Sequence, residues 1–332
     1  MGRAPARVNL IGEHTDYNQG FVLPAGLAYF TEVEAEADEG VAAWSETFGE
    51  ELRRPLDGPR GDWLDYLAGV LWALREAGLA VSGARFRIRS TVPVGVGLAS
   101  SAALEVAALK ALRALYDLPL DDLRLAQLAQ RAEAEYVGVR CGIMDQVAAA
   151  LGRPGEALFL DTKNLTYRKL PLFPGTRVVV IDSGVPRRLA ESGYNQRRAE
   201  CAEAARLLGV ASLREIEDPG AVEALPEPYR RRARHVVTEN RRVLEAVAAL
   251  EAGDARAFGA LMVASHRSLA HDFEVSTPEL DRLVERALAL GAYGAKLTGA
   301  GFGGAVATLV PASAARRLVA GLRRDFPQAA FY

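Results

Sequence analysis

Hydrophobic and polar positions in the first half of the chain follow two different periods. Residues 31–37 and 84–91 repeat with a period of two, which predicts strands with one face exposed to solvent. Residues 100–116 and 121–136 instead follow a helical period, and the second of these stretches begins at a pair of aspartates that can cap it. Strands that lead into helices predict a mixed sheet with helices packed on it.

Between these elements, residues 50–61 carry charges, prolines and glycines, which is typical of a surface loop. Asp62 is expected to cap a helix that places Trp63 and Tyr66 on one face. The two aromatic side chains could be core anchors, or they could form a wall beside a purine base. The sequence leaves both readings open.

Long amphipathic helices dominate the second half of the chain. Residues 157–160 and 166–170 are predicted to pair as strands, and the apolar residues 177–182 then open a second domain with a buried strand. Helices are expected over residues 193–208, 228–251, 254–271 and 278–290, followed by strands over 293–297 and 305–310, a helix from about 312 and a short last strand. The pattern predicts an α+β fold with two domains, residues 1–172 and 173–332, the second richer in helix.

The length of 332 residues and the hydrophobic content of 50% are enough for two packed cores, so two domains that share a cleft are expected. No apolar run reaches the roughly 18 residues that a membrane span requires. The N-terminus also lacks the basic and then apolar order of a secretory signal. The sequence therefore predicts a cytoplasmic protein with no membrane partner.

Charge and cysteine usage argue against two further classes of protein. The formal net charge of −2 disfavours a nucleic-acid binder, whose affinity would rest on a basic surface. The one basic cluster, residues 230–234, is expected to be a solvated helical face. Cys141 and Cys201 stand far apart with no partner motif, so both are expected to be buried, without a disulfide or a zinc site.

A dense run of hydrogen-bonding side chains follows the first predicted strand, at residues 12–18 (the polar loop). Glu13, His14 and Asp16 could ligate a metal ion. However, adjacent Glu13 and His14 point apart in most backbones, and no second histidine is near. Carboxylates and an imidazole make directional hydrogen bonds to neighbouring hydroxyls, so the polar loop favours a carbohydrate site over a metal site.

Residues 93–103 (the glycine–serine loop) combine glycines with serines and lead into a long helix. Gly95 and Gly97 can turn their N–H groups toward one anion, and the free N–H groups of the helix would begin near Ser100. A phosphate would bind there, and Ser101 could reach a metal ion. The loop lacks the lysine of a Walker motif and the third glycine of a dinucleotide fingerprint, so an ordinary turn with a serine cap stays an open alternative.

Two later segments add candidate chemistry. Residues 141–146 (the aspartate segment) place a glycine and then Asp145 in apolar surroundings. Asp145 could be a first-turn helix residue stabilised by the helix dipole, or a catalytic acid. Residues 298–304 (the C-terminal glycine turn) hold four glycines, which implies tight folding or the close approach of a ligand.

Together, these segments resemble the motifs of the galactokinases, within the GHMP class of small-molecule kinases. Residues 7–18 resemble the galactokinase signature, and the glycine–serine loop is similar to the phosphate motif of the class. The aspartate segment resembles the stretch that carries the catalytic aspartate, and the C-terminal glycine turn resembles the third motif. The resemblance covers nearly the whole chain. It implies an N-terminal GHMP kinase domain and a ferredoxin-like C-terminal domain, with the active site in the cleft between them.

The resemblance also implies a reaction, the ATP-dependent phosphorylation of α-D-galactose at its C1 hydroxyl to give galactose 1-phosphate and ADP. By similarity Asp145 is the base that faces this hydroxyl, and Arg7 lies beside it, where a guanidinium would favour the ionised carboxylate and stabilise the transferring charge. The positions that match the galactose-binding residues of the family are Glu13, His14, Asp16, Gly142 and Tyr194.

On the nucleotide side, the resemblance implies ATP and Mg²⁺. Ser101 and Glu133 match the magnesium ligands of the class, and Trp63 and Tyr66 match aromatic positions beside the adenine. The residues expected to hold the phosphates are Gly95, Gly97, Leu98, Ser100 and Ser101. The partners are therefore expected to be small molecules, and the protein is expected to be a monomer.

Two other activities stay open at this point. The chain could be a kinase of the same class that acts on N-acetylgalactosamine or arabinose, or a non-catalytic sensor that binds galactose and ATP. It also departs from the family at small residues: Ala6 and Ala300 stand where a glycine is usual, and Ala99 replaces a common serine. Mild effects are expected, because these residues lie in loops.

Overall fold

The computed structural model describes residues 1–185 and 190–332. The chain forms two compact units. The first unit comprises Met1–Arg7 and Ala25–Gly155, and the second comprises Val8–Pro24 and Glu156–Tyr332. The predicted domain boundary after residue 172 stays a prediction. Within the described ranges, no helix has the length and apolar character needed to cross a membrane.

The elements alternate along the chain much as the hydrophobic pattern predicts. The strands are β1 (Gly2–Asn9), β2 (Phe21–Val22), β3 (Pro24–Ala37), β4 (Val41–Ser45), β5 (Glu50–Arg54), β6 (Ala84–Ser90), β7 (Glu156–Asp161), β8 (Thr166–Pro171), β9 (Thr176–Asp182), β10 (Gly294–Thr298), β11 (Ala305–Pro311) and β12 (Ala330–Phe331). The helices are α1 (Asp65–Glu76), α2 (Ser100–Leu115), α3 (Asp122–Arg131), α4 (Met144–Leu151), α5 (Ala190–Leu208), α6 (Tyr229–Glu251), α7 (Ala255–His271), α8 (Pro278–Ala289) and α9 (Ala312–Asp325).

A mixed sheet and a helical layer make up the first unit. β3 pairs antiparallel with β6, β6 pairs parallel with β4, and β4 pairs antiparallel with β5. The predicted alternation is confirmed in β6, where Phe86 and Ile88 are buried and Arg87 is exposed. Helices α1 to α4 pack on one another, and Asp121 caps α3 by accepting a hydrogen bond from the N–H of Arg124 at 2.7 Å. A π-helical turn extends α3 over Ala132–Val137.

The second unit contains the long helices α5 to α9. Its antiparallel sheet has the order β10-β11-β9-β12, which places the apolar β9 between two neighbours. Helices α7 and α8 pack on β10, and α9 packs on β9 and β11. β7 pairs with β2 and with β8. The predicted pairing of residues 157–160 with residues 166–170 is therefore confirmed. A mixed sheet and an antiparallel sheet, each combined with helices, confirm the α+β class.

Two predictions about the first unit are wrong. Residues 50–54 form β5 rather than a loop, because their backbone pairs with β4 even though all their side chains except that of Leu52 are charged. Asp62 does not cap helix α1, which begins at Asp65, and it instead accepts a hydrogen bond from the N–H of Leu64 at 2.9 Å. Trp63 therefore lies outside the helix.

Burial corrects two further expectations. The basic cluster of residues 230–234 is not entirely solvated, because Arg232 is buried and donates to the carboxylates of Glu200 and Glu274 at 2.7 and 2.6 Å. Cys201 is buried as expected, but Cys141 is only half-buried.

Candidate functional site

Arg7 and Asp145 meet in the first unit, one near the end of β1 and the other in the first turn of α4. The guanidinium donates from Nε to Oδ1 at 2.7 Å and from Nη2 to Oδ2 at 2.5 Å. It also donates from Nη1 to the carbonyl of Gly97 at 2.6 Å. This bidentate pairing fixes the orientation of the carboxylate and ties it to the glycine–serine loop.

The glycine–serine loop begins α2 without a serine cap. Gly95 and Gly97 have φ angles of +80° and +88°, in the left-handed region that favours glycine. The cap residue is Ala99, also left-handed at φ 59°, and its side chain makes no capping hydrogen bond. Ser100 is already helical. The alternative of an ordinary serine cap is therefore wrong, and the first N–H groups of α2 receive no side-chain acceptor from the cap, as suits a helix start that binds an anion.

Leu98 has a different position from its neighbours in this loop. Its side chain is fully buried, and its carbonyl accepts a hydrogen bond from the N–H of Arg7 at 3.2 Å. Leu98 thus helps to hold the loop against β1, and only its backbone is placed to meet a ligand.

Ser101 and Glu133 lie together, as a shared ion would require. Ser101 Oγ donates to Glu133 Oε1 at 3.0 Å, and the amide of Gln146 donates to Oε2 at 2.5 Å. Burial, reinforced by the nearby Asp145, raises the pKa of Glu133 to about 7. A bound divalent cation would favour the ionised form of the Glu133 carboxylate.

The oxygen donors of Ser101 and Glu133 fit Mg²⁺, a hard ion that usually binds through one or two carboxylates together with phosphate oxygens and water. Among the residues that the structure describes, no group of three or more histidine, cysteine or acidic side chains is arranged to hold a metal ion. These two residues would therefore need oxygens from a bound phosphate or from water to complete a coordination shell.

The aromatic candidates Trp63 and Tyr66 have different surroundings. Trp63 donates from Nε1 to Glu50 at 2.7 Å, and its ring lies 5.5 Å from that of Phe48. Tyr66 is partly buried, and burial, together with Glu133 nearby, raises its pKa to about 12. Both side chains are partly buried, so their burial does not distinguish a core role from a place beside a planar ligand.

Gly142, in the aspartate segment, is half-buried and lies just before α4. The remaining candidates belong to the second unit, in the polar loop and on α5.

His14 is the most constrained residue of the polar loop. Its φ of 62° is left-handed, which is uncommon for a residue other than glycine. Nε2 donates to the carbonyl of Ala300 at 3.2 Å, and Nδ1 lies 2.9 Å from the hydroxyl of Tyr17. Burial, with His235 nearby, lowers the pKa of His14 to about 3, so the imidazole is neutral near pH 7.

Tyr194 and Asp16 lie beside this histidine. The ring of Tyr194 is 5.7 Å from that of His14 and 5.4 Å from that of Tyr17. Asp16 begins a short 3₁₀ turn and accepts a hydrogen bond from the N–H of Tyr17 at 2.9 Å. Its carbonyl accepts from Thr162 at 3.0 Å. The structure thus brings three of the sugar candidates into one cluster.

Two residues one turn apart on α6 hold the backbone of the polar loop. His235 donates from Nε2 to the carbonyl of Glu13 at 3.1 Å, and Glu239 accepts from the N–H of Gly12 at 2.9 Å. Burial opposes the ionisation of Glu239, but Arg242, His235 and Lys296 more than offset it, and its pKa falls to about 2. An ionised carboxylate therefore holds the backbone of the polar loop at Gly12.

The side chain of Glu13 forms a buried ion pair with Lys296 of β10. Glu13 is 2% exposed, and Lys296 is fully buried. Burial raises the pKa of Glu13 to about 7 against the opposing effect of Lys296. Sequence reasoning missed Lys296, although a lysine among apolar residues before the C-terminal glycine turn was a signal. The contacts that His235, Glu239 and Gln146 make could not be found without the fold.

Three family descriptions match the chain. "GHMP kinases N terminal domain" matches residues 65–153, "GHMP kinases C terminal" matches residues 246–328, and "Galactokinase galactose-binding signature" matches residues 1–36. The first range contains the glycine–serine loop and the aspartate segment, and the last contains the polar loop.

Relatives that align over most of this chain share one name. The chain is 49% identical over 341 residues to a galactokinase of Roseiflexus sp. (strain RS-1), with 98% of this chain and 86% of that protein covered. It is 46% identical over 309 residues to a galactokinase of Thermococcus kodakarensis, which covers 92% of this chain and 88% of that protein.

Solved structures agree with these similarities. Lactococcus lactis galactokinase complexed with galactose superimposes with a TM-score of 0.93 at 35% identity, covering 100% of this chain and 92% of that one. Methanococcus jannaschii mevalonate kinase superimposes with a TM-score of 0.72 at 21% identity, covering 99% and 96%, which shows a shared fold alone.

Proposed function

The chain belongs to the galactokinase family of the GHMP kinases, and from this membership we propose that it phosphorylates α-D-galactose at the C1 hydroxyl with ATP, giving galactose 1-phosphate and ADP. The observation that carries the proposal is the bidentate pair of Arg7 and Asp145 beside the glycine–serine loop. It provides a fixed carboxylate next to a loop suited to phosphate.

In the proposed mechanism Asp145 orients the C1 hydroxyl and accepts its proton as the oxygen attacks the γ-phosphorus of ATP. The two hydrogen bonds from Arg7 prevent the carboxylate from rotating away from the hydroxyl. The same guanidinium reaches the carbonyl of Gly97, so it lies where it can also stabilise charge on the transferring group.

The glycine–serine loop holds the phosphates in this proposal. Backbone N–H groups at Gly95, Gly97 and the start of α2 supply donors, and the positive end of the α2 dipole favours the anion. Ser101 and Glu133 would hold Mg²⁺. When bound, the ion would neutralise part of the charge on the phosphate oxygens. Gln146 fixes the Glu133 carboxylate from the other side.

Sugar recognition is assigned to Glu13, His14, Asp16 and Tyr194, with the backbone of Gly142. Both ring nitrogens of His14 have partners within the second unit, so we assign this side chain a packing contact with the sugar. The carboxylates of Glu13 and Asp16 are the acceptors for sugar hydroxyls. A site that pairs each hydroxyl rejects an epimer strongly, because the displaced hydroxyl leaves a buried acceptor unpaired.

A substrate panel tests the proposal. Purified protein with ATP and Mg²⁺ is offered galactose, N-acetylgalactosamine, arabinose and glucose, and ADP release is compared with that of Asp145→Asn. We expect turnover with galactose and formation of the 1-phosphate, identified by ³¹P NMR. Turnover with another sugar but not with galactose would contradict the substrate, and galactose binding without turnover would indicate a sensor. The cytoplasmic location, the monomeric state and the need for Mg²⁺ remain predictions.

A further inference from the structure

Lys296 is a buried charge that the proposed mechanism leaves unused. It lies in β10, its side chain has no solvent exposure, and its ammonium contacts the carboxylate of Glu13. Nζ also donates to the carbonyl of Leu297 at 2.8 Å. Burying an ammonium is costly unless it is paired and hydrogen-bonded, so a lysine at this position needs both contacts.

Glu13 and Glu239 each pair with a different cation. Glu239 pairs with Arg242 at 2.7 Å and accepts a hydrogen bond from Ser265 at 2.6 Å. Glu13 has Lys296 as its cation. Without Lys296, Glu13 would be a buried carboxylate close to the ionised Glu239, with the neutral His235 as the other titratable group of α6 beside it.

We propose that Lys296 is a positioning residue for sugar recognition, which holds the Glu13 carboxylate in place as a hydrogen-bond acceptor for one sugar hydroxyl. This inference rests on the assignment of Glu13 to the sugar site. Lys296 contacts Oε2, both carboxylate oxygens are buried, and a backbone hydrogen bond from Gly299 also favours the ionised form. In this proposal a sugar hydroxyl adds one further donor to the same carboxylate.

The charge on Lys296 determines which kind of hydrogen bond Glu13 can make. Burial and Glu239 favour the protonated carboxyl, and Lys296 opposes them. A protonated Glu13 would offer an O–H donor in place of an acceptor, and the hydrogen bond from the sugar would be lost. Lys296 therefore acts on the sugar through Glu13 and leaves the nucleotide unaffected.

The experiment compares Lys296→Met, which keeps length and removes charge, with Glu13→Gln and with the double variant. We expect the galactose KM of Lys296→Met to rise about 10- to 100-fold, the scale of one lost hydrogen bond to a charged group, while the KM for ATP changes less than about 2-fold. The rise should shrink as the pH is increased, because alkali favours the ionised carboxylate of Glu13. General damage to the fold would not be reversed by alkali.

The double variant tests whether Lys296 acts on the galactose KM through Glu13. With Glu13→Gln already present, adding Lys296→Met should change the galactose KM by less than about 2-fold, because the group through which Lys296 acts is gone. A matched control is Thr308→Val in β11, which removes the hydrogen bond of another buried polar side chain to Val179 in the same sheet. It should lower stability without raising the galactose KM.

Each outcome separates the inference from the function it rests on. If Glu13→Gln raises the galactose KM and Lys296→Met does not, the role of Lys296 is wrong and the sugar site stands. If neither variant changes that KM, Glu13 is not a sugar ligand and both fail. If Lys296→Met does not fold, the double variant still decides, since it leaves no unpaired charge. A galactose KM that differs by more than 3-fold between the double variant and Glu13→Gln would overturn the inference.

Discussion

The guanidinium of Arg7 and the carboxylate of Asp145 form a bidentate pair of unequal exposure, with 5% of the arginine side chain accessible and 30% of the aspartate side chain. The cation is therefore a buried anchor, and the carboxylate faces outward from it. An ion pair that served only to stabilise the fold would not need to leave its acid accessible. This asymmetry is what a positioned base requires.

Replacing Asp145 with asparagine tests the base directly. Asp145→Asn keeps the shape of the side chain but removes the proton acceptor, so we expect kcat to fall about 10²- to 10⁴-fold. Galactose affinity, measured by calorimetry, should change only a few-fold. Arg7→Lys should give a smaller loss, because it cannot make both hydrogen bonds. A kcat for Asp145→Asn within 3-fold of the unsubstituted protein would rule out its role as the base.

Glu133 can be tested through the magnesium requirement. Glu133→Gln removes the negative charge that would hold the ion beside Ser101, so the Mg²⁺ concentration for half-maximal activity should rise at least about 10-fold. The matched control is Glu135→Gln, two residues along, whose exposed carboxylate pairs with Arg131 at 2.9 Å. Activity titrated with Mg²⁺ provides the measurement. Equal Mg²⁺ curves for the two variants would remove Glu133 from the metal site.

Asp16 should affect the sugar and leave the nucleotide unaffected. Asp16→Ala removes a proposed acceptor for a sugar hydroxyl, and we expect kcat/KM for galactose to fall about 10- to 100-fold while ATP affinity stays within about 2-fold. Asp218→Ala, which removes an exposed cap elsewhere in the second unit, is the control. Equal losses toward galactose and ATP would show that Asp16 acts on the fold as a whole.

Gly259 of α7 packs against the chain just before β10, and a side chain there would not fit. A Cβ at this position would lie 2.1 Å from the carbonyl oxygen of Tyr293. Gly259→Ala should therefore lower the free energy of unfolding by about 1–3 kcal/mol or more, measured by urea denaturation. Ala260→Ser, on the exposed side of the same helix, should stay within about 0.5 kcal/mol. A stable Gly259→Ala protein would mean that α7 can move away from β10.

The buried His235 predicts a pH dependence of stability. Burial lowers its pKa from 6.5 to about 4, so the native protein holds the imidazole neutral while the unfolded chain binds a proton below pH 6.5. The stability that it contributes is present above pH 6.5 and is lost as the pH falls through 4. Relative to His235→Asn, the unsubstituted protein should lose about 3 kcal/mol between pH 7 and pH 4. A difference that does not vary with pH would show that His235 is accessible to protons in the native state.

Local patterns predicted the elements well where one face of an element is buried. The alternation of β6 and the amphipathic period of α6 correspond to elements of the structure because the period of a sequence reports which side chains meet the core. The pattern failed at β5, whose charged residues carry no apolar period because the pairing involves the backbone alone. It also failed at the start of α1, where Asp62 caps a turn rather than the helix.

Motifs found the candidate residues, but they did not find the residues that hold them. Arg7, Asp145, Ser101 and Glu133 were identified by resemblance, and the structure brings them together as two pairs. Lys296 was missed because its partner, Glu13, lies more than 280 positions away in the sequence. Arg232 was misassigned because a helical period cannot tell a solvated arginine from one that is neutralised by Glu200 after folding.

The anchoring of the polar loop by α6 limits how its specificity can be transferred. Gly12 and Glu13 are each held through the backbone by a side chain one helical turn from the other, Glu239 and His235. A chimera that received only residues 12–18 would obtain the hydroxyl-binding groups without the supports that orient them. Donor and recipient would have to match at both helix positions, so the smallest exchangeable unit for sugar preference is the loop together with that face of the helix.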